Sequence, residues 1–137
     1  MLPLSLESFR LFLHITAAAV WVGGQLTLLG LLPVLRDIGP DAPRAAARRF
    51  NLIAWSAFGV LFMTGIWSLL EETPSSRGAA WNATLGLKLL MVAATGIAAA
   101  FHAGAQSKVI LAAGGAISLF AGLAAVLLGV MLSIAPS

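Results

Sequence analysis

Four runs of mostly apolar residues, each long enough to cross a bilayer, dominate the chain and limit what it can fold into. A membrane-spanning helix needs about 20 such residues. The first run extends from about Phe9 to Leu35, where Arg36 and Asp37 mark its exit. The second extends from about Phe50 to Leu70 and stops at Glu71, Glu72 and Pro74. The third begins at Trp81 or Asn82 and reaches about Ala105; the fourth runs from about Val109 to Ile134, ahead of Pro136. The first run is too long for the apolar core of a signal peptide and has no convincing small-residue cleavage site, so it reads as a retained helix.

Charge content agrees with this reading. Only 9% of the residues are charged and 60% are hydrophobic, whereas soluble domains carry about 25% charged residues. So few charges cannot cover a surface facing water. The expectation is an all-α integral membrane protein: one four-helix domain over residues 1–137, a four-transmembrane-helix bundle with the lipid bilayer as its main environment. With no cysteine in the chain, disulfides, iron–sulfur clusters, thiolate metal sites and cysteine nucleophiles are excluded. The net charge of +3 behind the pI of about 10.7 is too dilute for a nucleic-acid footprint. Patterns of the HExxH, P-loop and GxGxxG kinds are absent, as is a Ser/His/Asp set, and all five acidic residues lie outside the apolar runs.

The distribution of basic residues predicts orientation. The first and third loops share a side that holds Arg36, Arg44, Arg48, Arg49 and Lys108, against Arg10, Arg77 and, at the margin, Lys88 on the other. Five against three puts the first loop in the cytoplasm and both termini outside. Arg44, Arg48 and Arg49 fall on one helical face, where they can meet anionic lipid phosphates.

Small residues mark where helices can approach closely. Gly96, Ala100 and Gly104 recur at every fourth position of the third run. In the fourth run Gly114, Ser118 and Gly122 do so, as do Ala121, Ala125 and Gly129. Such faces serve packing within the chain, a homodimer, or docking onto a larger membrane complex.

Ionisable groups inside a span are costly and usually face a partner, a cavity or a cofactor. His14, Lys88 and His102 stand out. His14 and Lys88 fall at similar depth, roughly 10 Å in from the outer end. Thr64, Met63, Trp67 and residues near Met131 fall at comparable depth on the runs that return. His14, Ala18, Trp21 and Gln25 follow helical spacing, with Gly23 and Gly24 beside Trp21; Lys88, Thr95 and His102 recur every seventh residue and share a face. Neutral imidazole suits copper or haem iron, thioether suits Cu(I), and a lysine pairs with a propionate or another anion. The candidate cofactor-binding residues are therefore His14, Trp21, Gly24, Lys88 and His102. The candidate metal ligands are His14, Met63, Met91 and Met131. Plainer roles exist for each: an interhelical hydrogen bond for either histidine, snorkelling for Lys88, packing for the methionines, and an interfacial belt for Trp55, Trp67 and Trp81. His14 and His102 fall on opposite halves, roughly 20 Å apart along the membrane normal, which argues against one haem ligated by both.

LFLHITAAAVWVGGQLTLL resembles the first helix of the copper-resistance D membrane domain, in which a His is followed by Trp-x-Gly-Gly. RRFNLIAWSAFGVLFMTGIW is similar to its second helix, and LGLKLLMVAATGIAAAFHA, with Gly-x-x-Lys at the entry, to its third. The likeness spans about Phe9 to Ser133. It implies a bacterial inner-membrane protein linked to copper uptake or tolerance, with His14, Trp21, Gly23, Gly24 and Lys88 as the carried-over positions. Related four-helix families, including the membrane protoporphyrinogen oxidase type, have a similar first helix and a lysine in the third, and are associated with b-type haem. Three functions follow as expectations. The first is copper bound or passed at an outer-leaflet site on His14. The second is b-haem binding for electron transfer or haem metabolism, with His14 as axial ligand and Lys88 near a propionate. The third is a non-catalytic accessory subunit of a larger membrane complex.

Overall fold

The computed structural model describes residues 3–135. Four helices account for nearly all of them: α1 (Leu6–Ile38), α2 (Ala42–Glu71), α3 (Ala79–Gly104) and α4 (Lys108–Ser133). Each is long and apolar enough to cross a membrane, and there is no strand among the described residues. The fold class is thus all-α, and the chain is a multi-pass membrane protein. The helices overrun the apolar stretches because local chemistry, not hydropathy, sets their ends. Ser5 and Ser8 form a reciprocal cap ahead of α1. Pro43 stands in the first turn of α2, where its missing N–H costs nothing. The Ser107 hydroxyl accepts from the Ile110 N–H at 3.2 Å to start α4. Helix α2 consequently begins eight residues before Phe50, and Arg44, Arg48 and Arg49 are exposed on its first turns.

The structure divides into two compact units between Glu72 and Thr73. Each is a helical hairpin and is described by itself. In the first, α1 and α2 are joined by the short Gly39–Asp41 turn and run antiparallel, Arg10 and His14 meeting Ser68 and Thr64 while Trp21 meets Trp55 and Phe58. Helix α1 is interrupted by one wider π-turn at Ala19–Gly23. Trp21 and Val22 are both buried in that turn. The Trp21 ring lies 4.6 Å from Phe58 and 5.5 Å from Trp55, centroid to centroid, the latter edge-on. Trp55, expected in an interfacial belt, thus also packs against α1. Just beyond, a Cβ at Gly24 would run into the Phe50 ring, so only glycine fits that contact without movement.

In the second unit, α3 and α4 pack along their length through small residues. Gly114, Ser118, Ala121, Gly122 and Ala125 are buried on α4, as both small-residue stripes of that run anticipate. The facing surface of α3 is not the Gly96, Ala100, Gly104 stripe: Ala100 and Gly104 are exposed. Thr95, Gly96 and Ala98 are buried instead, because the polar positions of α3 set its rotation. The Thr95 hydroxyl donates to the Ser118 carbonyl at 2.7 Å in the middle of this interface. Thr95→Val keeps the shape and removes the bond, and is expected to cost about 1 kcal/mol, read as a lower unfolding midpoint in mixed micelles.

Candidate functional site

The end of the first hairpin away from the Gly39–Asp41 turn carries two polar rungs, one helical turn apart. On the α1 side stand Arg10 and His14; on the α2 side stand Ser68 and Thr64. Both pairs are spaced by four residues, so each pair lines one face of its own helix. His14 Nδ1 lies 2.8 Å from Thr64 Oγ1. The same hydroxyl lies 2.7 Å from the Val60 carbonyl. With its single proton on that carbonyl, Thr64 accepts from His14 Nδ1, and in the neutral ring Nε2 then has the lone pair; the opposite tautomer reverses the bond. Metal-ligating histidines are held in the first of these ways, the far ring N–H donating to a protein acceptor. The Cε1 edge of the ring lies beside Gly65, which contributes no side chain there.

The neighbouring rung repeats the logic. Ser68 Oγ donates to the Thr64 carbonyl at 2.9 Å and accepts from Arg10 Nη1. Arg10 is only 7% exposed, and its Nε has no hydrogen-bond partner. No ion pair is found for it among the described residues. A buried donor left unsatisfied costs about 1–3 kcal/mol, and more when charged. Arg10 was expected only as a basic residue outside the membrane; its place in the hairpin was missed. A signal existed: the polar pairs 10/14 and 64/68, both spaced by four, occupy successive spans that run in opposite directions.

The second hairpin holds the other candidates. Lys88, Thr95 and His102 do share one face of α3, and all three meet α4. Lys88 is half-buried with its Nζ over Gly129, 3.3 Å from where an alanine Cβ would stand. It thus lies along α4 rather than extending away from the hairpin. His102 Nδ1 lies 2.6 Å from the Leu111 carbonyl. A carbonyl only accepts, so this nitrogen carries the hydrogen, and the bond joins the two helices. His102 packs over Gly114 and Gly115, where an added Cβ would stand 3.0–3.1 Å from it.

The methionines are not gathered around either histidine within its hairpin. Met63 adjoins Thr64 in sequence but lies about 100° around the helix and is 66% exposed. Met131 is 47% exposed, and Met91 lines a shallow apolar groove with Ala94, Ile117 and Phe120. Among the described residues no group of three or more His, Cys, Asp or Glu side chains could hold a metal ion. Trp21 and Gly24 take packing partners in the first hairpin, as above. Comparison of the chain with family models, with curated proteins and with solved structures finds no match in any of the three.

Proposed function

We propose that this chain is a bacterial inner-membrane protein, both termini outside, that holds b-type haem with His14 Nε2 as an axial ligand. It serves electron transfer or haem metabolism. The observation that carries the reading is the hydrogen bond between His14 Nδ1 and the Thr64 hydroxyl. It orients the ring, as a protein acceptor orients the far N–H of a metal-ligating histidine. Copper, the other occupant that the resemblance to the copper-resistance D domain implies, is less well served. Cu(I) wants several soft donors, and Met63, the first hairpin's candidate thioether, sits on an outward face. A buried guanidinium one turn from His14 repels a bare cation, whereas it complements a macrocycle that carries carboxylates. Bound haem would supply one-electron chemistry; the chain's own residues would hold and orient it and exclude water.

An absorption spectrum of the purified protein, oxidised and then dithionite-reduced, with metal analysis on the same sample, tests this. A Soret band with sharp reduced α and β bands is expected. Copper without those bands would restore the copper reading, and a protein without colour or metal would favour the accessory subunit. Thr64→Val is expected to keep the spectrum while weakening haem retention about 10- to 100-fold, the usual cost of losing the group that orients a ligating histidine. Competition with apomyoglobin reads the loss.

A further inference from the structure

Arg10 has more hydrogen-bonding capacity than its hairpin uses. Ser68 takes a bond from Nη1, while Nε has no acceptor although it is buried. A cation in an apolar span is retained where something compensates it, and no carboxylate of the described chain does so. Both acids nearest in sequence to the rungs are accounted for differently: Glu7 is exposed on the first turn of α1, and Glu71 accepts from the Trp67 indole at 3.0 Å. Arg10 lies four residues before His14, about 6 Å along the helix and on the same face.

We infer that Arg10 is the receptor for a carboxylate carried by the group that His14 ligates, a propionate in the case of haem b. The inference rests on the haem reading and adds to it how the group is oriented. The ring nitrogen would hold the iron, and the guanidinium one turn nearer the N-terminal end of α1 would hold a carboxylate of the macrocycle. Ser68 holds the guanidinium in place through Nη1, which leaves the remaining N–H groups for the planar, two-point recognition of a carboxylate in which arginine excels. Arg10 is thus a binding residue and Ser68 a positioning residue.

The test titrates the apoprotein, in neutral detergent, with ferric protoporphyrin and separately with its dimethyl ester, whose propionates carry no charge. The wild type is expected to bind the free acid about 10- to 100-fold more tightly than the ester, the range for a hydrogen-bonded charge pair. Arg10→Gln is expected to bind both equally, at the affinity of the ester and with the same Soret position, since the His14 ligation is untouched. Anionic phospholipid added to the wild type should leave the preference in place; its loss would assign Arg10 to a lipid phosphate instead. Equal binding of acid and ester by the wild type, with the spectrum of histidine-ligated haem, would overturn the role of Arg10 and leave the His14 reading standing. Binding of neither form would overturn both.

Discussion

His14→Ala should yield a colourless protein. Without the imidazole the first hairpin has no histidine, and the loss of haem should exceed the tenfold to hundredfold weakening expected of Thr64→Val. The fold should survive. The substitution removes one interhelical hydrogen bond, worth about 0.6 kcal/mol on average in a membrane, while the Arg10–Ser68 rung and the packing of Trp21 on Trp55 and Phe58 remain. Far-ultraviolet circular dichroism should be unchanged while the Soret band disappears. A variant that keeps its full haem content would exclude His14 as the ligand.

The largest effect on stability is expected at Gly114. A Cβ there would stand 3.1 Å from the Ala98 carbonyl oxygen and from the backbone nitrogen of His102. These are backbone atoms, which no rotamer change can move aside. Gly114→Leu must therefore push α3 and α4 apart, at the cost of about 1–3 kcal/mol usual for overpacking. It also strains the bonds on either side, from His102 to Leu111 and from Thr95 to Ser118. A total of about 2–4 kcal/mol is expected, measured as the shift of the unfolding transition in mixed micelles. Gly86→Leu is the comparison, because nothing lies within 4 Å of a Cβ at that position. It should change stability by less than about 0.5 kcal/mol. Equal losses in the two variants would mean that the close approach at Gly114 is not what holds the second hairpin.

Much of the fold is legible in the sequence because the bilayer imposes a simple length rule on apolar runs. The four runs anticipate the four helices, and the depth argument places Thr64 opposite His14, where it is found. The sevenfold spacing of Lys88, Thr95 and His102 likewise marks the face of α3 that meets α4. What hydropathy does not encode is rotation and register. Ala100 and Gly104 look like packing residues by spacing, yet a stripe of small residues says only that a close approach is permitted there. The bonds made by Thr95 and His102 decide which face is used. The π-turn at Ala19–Gly23 leaves no periodic trace, since it shifts the phase of the helix by a fraction of a turn. Arg10 was hidden for a different reason. At the edge of an apolar run an arginine looks like a charge for the membrane surface, and only the partner helix reveals that it turns inward.

Ligation through His14 Nε2 requires the ring hydrogen to sit on Nδ1. Nuclear magnetic resonance of the apoprotein with ¹⁵N-labelled histidine, in detergent at a pH where the ring is neutral, reports this directly. With only His14 and His102 in the chain, a His102→Ala variant assigns the signals. A protonated Nδ1 and an unprotonated Nε2 are expected for His14, with the Nε2 resonance lost or strongly shifted when ferric protoporphyrin is added. A hydrogen on Nε2 in the apoprotein, or a ring signal that haem leaves unchanged, would contradict that ligation.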